Sequence, residues 1–79
     1  MKELLISLDS QSRKPLYEQI YSFVKAEIRQ GKIQSGERLP SSRALAGQLS
    51  VSRSTIDLAY EQLLSEGYLQ SIPLSLIHI

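Results

Sequence analysis

The sequence predicts a mainly α fold: one small domain of three helices, the last two forming a helix-turn-helix. Three observations carry this. Apolar residues recur at helical spacing in three separate segments. Serines stand where the second and third segments begin, and glycines stand where the first and third end. Only about three residues, Ser50-Val51-Ser52, separate the second helix from the third.

Residues 1–13 form an N-terminal arm. Leu4, Ile6 and Leu8 alternate with Leu5 and Ser7, which suggests a short extended segment. Residues 14–31 read as the first helix. Pro15 suits its first position, because the N–H that proline lacks would be unpaired there anyway. Leu16, Ile20, Val24 and Ile28 recur every four residues, and Tyr17, Tyr21 and Phe23 widen the apolar face. Lys25 and Arg29 lie toward the end that the helix dipole makes favourable to cations. Gly31 can take the left-handed conformation that stops a helix. Residues 32–40 connect, with Ile33 and Leu39 expected to plug the core. Ser41 or Ser42 caps the second helix, whose apolar side is Leu45, Ala46 and Leu49. Ser52 caps the third. Val51 before that cap and Ile56 at the fourth helical position have the spacing of a hydrophobic staple. Ile56, Ala59, Tyr60, Leu63 and Leu64 then follow helical spacing without a gap, and Gly67 ends the helix. Tyr68, Leu69 and Ile72 read as the start of a strand that Pro73 closes.

Composition bounds what such a domain can do. The chain has 79 residues, and a domain of this size buries only about 60–65% of its unfolded surface. That leaves little wall for an enzyme-sized pocket. Hydrophobic residues at 42% and charged residues at 22% argue against disorder. The absence of cysteine removes a disulfide framework, a thiolate zinc site and a cysteine nucleophile. One histidine, His78, and scattered carboxylates offer neither a multi-histidine metal site nor a nucleophile paired with a base, so no catalysis is expected. No apolar run reaches the ~18 residues of a membrane span. The first nine residues carry Glu3 and Asp9 and do not form a secretion signal, so the expected location is cytoplasmic.

The net charge of +1 names no partner, but its distribution is uneven. Residues 1–28 balance to zero. Residues 29–54 hold Arg29, Lys32, Arg38, Arg43 and Arg53 against Glu37 alone, and residues 55–79 hold only Asp57, Glu61 and Glu66. A phosphate-facing surface needs such a basic stretch, although solvated loops have it too. Ser52, Arg53, Ser54 and Thr55 make an all-polar first turn on the third helix. Its free N–H groups and the positive end of the dipole point outward together. Arg53 has the forked donors to bond guanine O6 and N7, Ser54 and Thr55 can reach a base edge or phosphate, and Arg43 opens the preceding helix. Simpler roles fit the same residues. Ser52 is an N-cap whatever the function, Thr55 can support it, and Arg43 can pair with Glu37. The aromatic residues Tyr17, Tyr21, Phe23 and Tyr60 fit a core better than a base-stacking platform.

The run Gly36-Glu37-Arg38-Leu39-Pro40-Ser41-Ser42-Arg43-Ala44-Leu45-Ala46, followed by Val51-Ser52-Arg53-Ser54-Thr55-Ile56, resembles the winged helix-turn-helix domain of GntR-family bacterial regulators. Pro15-Leu16-Tyr17-Glu18-Gln19-Ile20 upstream and Ala59-Tyr60-Glu61-Gln62-Leu63-Leu64-Ser65-Glu66-Gly67-Tyr68-Leu69 downstream resemble its MocR subfamily. The likeness covers roughly residues 13–72. It implies a winged DNA-binding domain over residues 14–73, with double-stranded operator DNA as partner and contacts at Arg43, Ser52, Arg53, Ser54 and Thr55. Asp57 departs from branches that place a second arginine there, so no contact is carried over to it. MocR relatives continue into an aminotransferase-like domain that binds pyridoxal phosphate and forms a homodimer. This chain is therefore expected to bind no cofactor and to be monomeric by itself. A small helical protein-interaction module that does not bind DNA is the alternative reading.

The tail departs further. After Ser71-Ile72-Pro73 the family pattern has glycines that reverse the wing, whereas this chain has Leu74-Ser75-Leu76-Ile77-His78-Ile79. An incomplete C-terminal wing is therefore expected. Residues 74–79 are also similar to a translated transposon end of the kind used in sequencing libraries, and are expected to be a non-native tail.

Overall fold

Pro15 sets where the first helix begins. It is the N-cap of α1 (Leu16–Arg29), and its carbonyl accepts from the N–H groups of Glu18 and Gln19. Its ψ of 152° keeps it outside the helix, so α1 opens one residue later than a proline at the first helical position would give. At the other end Gly31 takes φ +78°, Lys32 N–H donates to Glu27 O at 2.9 Å and Gly31 N–H to Ile28 O at 3.1 Å. This Schellman pairing satisfies two carbonyls that the helix leaves open. The described residues are 4–72 and 75–78, taken from a computed structural model of the chain.

The elements that follow are β1 (Arg38–Leu39), α2 (Ser42–Leu49), α3 (Arg53–Ser65), β2 (Leu69–Ile72) and β3 (Ser75–His78). Ser41 caps α2 by accepting from Ala44 N–H at 3.1 Å. Ser50 ends α2 in the left-handed region at φ 56°, which costs a non-glycine residue about 1–2 kcal/mol. That cost is offset because both its own N–H and that of Val51 reach Ala46 O, turning the chain sharply into α3. Gly67, at φ +81°, closes α3 with the same pairing as Gly31: Tyr68 N–H to Leu63 O and Gly67 N–H to Leu64 O.

The periodic residues meet in one core. Ile20, Val24, Leu45, Ile56, Ala59 and Leu63 are fully buried, and Ile33 and Leu39 plug it from the connector as expected. Tyr60 belongs to it too, its hydroxyl donating to Pro40 O at 2.7 Å and pinning the start of α2 to α3. Tyr21 and Phe23 pack against its edge, while Tyr17 is half-buried outside it. The arm alternates as read, with Leu4 fully buried, Ile6 and Leu8 against the core, and Leu5 exposed. Its partner is helical rather than a strand. Gln48 donates to Leu4 O at 2.7 Å, and the Gln19 side chain exchanges hydrogen bonds with the Asp9 backbone while also donating to Lys14 O.

The sheet corrects the expectation of an incomplete wing. Its order is β1-β3-β2, antiparallel throughout, so the tail supplies the central strand. Leu69 pairs with His78 and Ile72 with Ser75, while Arg38 pairs with Ile77. Gly36 N–H to His78 O and His78 N–H to Glu37 O extend the pairing. The physical reason is that a ladder is built from backbone groups, and Leu76, Ile77 and His78 supply them without wing glycines. Leu76 also gains burial against the core edge. The connection at Pro73 and Leu74 lies outside the described residues, as does Ile79.

Candidate nucleic-acid interface

The polar first turn of α3 is built around Ser52. Its hydroxyl accepts from Thr55 N–H at 3.3 Å and lies 3.1 Å from Ser54 Oγ and 2.8 Å from Thr55 Oγ1. Three hydroxyls thus form one cluster on the helix end that carries partial positive charge. Arg53, the first helical residue, is exposed beside this cluster. Arg43 is exposed in the first turn of α2, whose N-cap Ser41 is held near α3 by the Tyr60–Pro40 bond. Burial pushes the Tyr60 hydroxyl well above its ordinary pKa of 10.0, so it stays a neutral donor in that bond.

The five residues singled out from the sequence divide into two groups. Ser52 and Thr55 have their oxygens engaged in the cap, which is the simpler role anticipated for them. Ser54 is exposed and shares the cap through one oxygen contact. Arg43 and Arg53 project into solvent, and no ion pair among the described residues holds either. The possible Arg43–Glu37 pair does not form, and Glu37 Oε1 accepts from Gln34 N–H at 2.9 Å. Arg38, which is not among those five residues, stands exposed on β1. Leu58 is half exposed on α3, a feature that helical spacing implied by leaving it off the buried face.

A second polar cluster lies at the far end of α3. Tyr21 O–H donates to Glu66 Oε1 at 2.5 Å, Lys25 Nζ donates to Tyr21 Oη at 3.1 Å, and Lys25 lies 3.9 Å from Glu66. The Lys25 ammonium also sits 5.4 Å and 5.5 Å from the Tyr21 and Tyr68 ring centres. The Tyr21 bond is the main cause that holds Glu66 below and Lys25 above their ordinary pKa values. A shallow groove beside it is lined by Tyr21, Ser22, Lys25, Ala26, Arg29 and Gln30. Among the described residues no group of carboxylates and histidines could hold a metal, and no helix is long and apolar enough to cross a membrane.

Known proteins resemble this chain in sequence and in fold. The regulator YhdI of Bacillus subtilis, described as uncharacterized and HTH-type, is 54% identical over 66 residues, covering 84% of this chain and 14% of YhdI. The probable rhizopine catabolism regulatory protein MocR of Rhizobium meliloti is 40% identical over 67 residues, covering 85% of this chain and 14% of MocR. The chain therefore spans about a seventh of either regulator. Among solved structures, the AraR DNA-binding domain in complex with operator ORX1 superposes with a TM-score of 0.83 at 28% identity, over 100% of both chains. The family model for bacterial regulatory proteins of the gntR family matches residues 16–77, which takes in all three helices and most of the sheet. On that match the chain belongs to the gntR family of bacterial regulatory proteins.

Proposed function

We propose that this chain is the DNA-binding head of a MocR-like transcriptional regulator, and that it places the first turn of α3 in the major groove of an operator half-site. The observation that carries the reading is the first turn itself. A helix end capped by Ser52 presents Arg53 and Ser54 outward with no competing ion pair, and Arg43 on the preceding helix is likewise exposed and outside any ion pair of the described residues. Arg53 and Ser54 then meet base edges, Arg43 meets phosphate, and Ser52 and Thr55 hold the turn in shape so that the N–H groups of Arg53 and Ser54 face an anion. The 40% identity to MocR supports the subfamily. Pyridoxal phosphate and dimer formation are assigned to a further domain of the full-length regulator, and operator binding puts the protein in the cytoplasm. The isolated head is not an enzyme and is monomeric, so its affinity rises when two heads occupy adjoining half-sites.

The test is binding of the 79-residue chain to duplex DNA as salt is raised. Each neutralised phosphate contributes a slope of about −0.9 in log affinity against log salt. Arg43→Ala is expected to flatten the slope by about one such contact on any sequence. Salt-independent binding, or none, would point instead to a protein-interaction module.

A further inference from the structure

The outward face of α3 carries an apolar side chain that the fold does not use. Ile56, Ala59, Tyr60 and Leu63 face the core, whereas Arg53, Ser54, Asp57, Leu58 and Glu61 are exposed. Leu58 is 51% exposed, which leaves its outer half free to pack on a surface outside the fold. It lies four residues beyond Ser54, about 6 Å along the axis on the same side of the helix. Helical side chains lean toward the N-terminus, so Leu58 covers surface near the Ser54 turn.

The neighbouring charges say how far α3 can enter a groove. Arg53 makes the first turn positive, while Asp57 and Glu61 make the later turns negative. Phosphates attract the first and repel the others, so the helix goes in end first. Leu58 sits at the boundary, uncharged and beside the turn that enters. Its side chain can neither donate nor accept a hydrogen bond. The apolar feature that the major groove offers is the C5-methyl group of thymine.

We propose that Leu58 is a specificity-determining residue that packs on a thymine methyl group next to the base pair met by Arg53 and Ser54. This rests on the DNA-binding reading above. Covering one methyl group corresponds to roughly a fourfold change in affinity.

The experiment selects binders of the 79-residue chain from a pool of duplexes with a random centre, then replaces each thymine of the enriched sequence by deoxyuridine, which lacks only that methyl. One position is expected to lose roughly fourfold with the unmodified chain. The L58A chain is expected to bind the thymine duplex with the same loss and to ignore the replacement there. Leu58 is exposed, so L58A keeps the fold, checked by an unchanged circular dichroism spectrum. An enriched sequence indifferent to deoxyuridine everywhere, or an L58A chain that still discriminates, would overturn the role of Leu58 alone. A pool that enriches no sequence would overturn the DNA reading and this proposal together.

Discussion

The two ends of α3 use their polar groups in opposite ways. At the C-terminal end, Glu66 accepts from Tyr21 and Gln62 and lies near Lys25, which in turn faces two tyrosine rings. Charge there is neutralised within the fold, and the cluster joins α1 to the end of α3. At the N-terminal end the hydroxyls bond one another and the backbone, but Arg53, like Arg43 on α2, is left facing solvent. Both ends are rich in polar side chains, so composition alone does not separate them. What separates them is whether the charge has a partner. A cation already engaged with a carboxylate must give up that contact to meet phosphate, and a free one need not.

The largest expected effect tests this directly. Arg53→Ala should cost about 1–3 kcal/mol on a preferred duplex, or roughly 5–150-fold in affinity. Lys25→Ala removes the same formal charge and should leave affinity on that duplex unchanged, because Lys25 belongs to the other cluster. Titration of one labelled duplex with each variant decides it. Equal losses would mean that net charge, not the partnered state of each cation, governs binding.

A smaller effect concerns stability. Ser52→Ala removes the acceptor of Thr55 N–H and the centre of the hydroxyl cluster. The loss of such a cap costs about 1 kcal/mol, which for a domain this small lowers Tm by about 4–8 °C. Tyr21→Phe breaks the centre of the other cluster, where the contacts are solvent-exposed or only partly buried, and is expected to shift Tm less. Thermal melts of the two variants rank the clusters. A larger drop for Tyr21→Phe would reverse the comparison, making the C-terminal cluster the main polar support of α3.

How much of this was legible follows from how local each signal is. Helix ends were legible because the serines and glycines that make them act on neighbouring backbone: Ser41, Ser52, Gly31 and Gly67 all do what their chemistry predicts. The buried face of α3 was legible because its period is regular. Strand β1 was not, since two residues carry no alternation and the pairing partner Ile77 lies at the far end of the chain. Strand β3 is hidden for another reason: turn glycines ease a reversal, but an apolar backbone run can pair without them. At the interface, the polar first turn could be read from residue types. The state of its arginines could not, because an ion pair depends on where Glu37 points, and Glu37 turns to Gln34.

The smallest expected effect is the pH dependence of the C-terminal cluster. Glu66 is held below its ordinary value of 4.5, first by the Tyr21 bond, then by Gln62, with attraction to Lys25 a lesser cause. A lowered carboxyl pKa contributes stability above the unfolded value, and that contribution is lost as pH falls through the folded value. Lys25 is raised above 10.5, chiefly by Tyr21, so its contribution is present below that value and is lost as pH climbs through the raised one. Between these limits both groups are charged and the cluster is intact. Glu66→Gln removes the acid limb, so the Tm gap between it and the unmodified chain should be widest near neutral pH and narrow below about pH 4. Solvent keeps the gap small, because both groups lie at the surface. A gap that stays constant into acid would show that Glu66 acts through its shape and not its charge. The far end of α3 would then be held by packing alone, and partnered charge would no longer distinguish it from the end proposed to meet DNA.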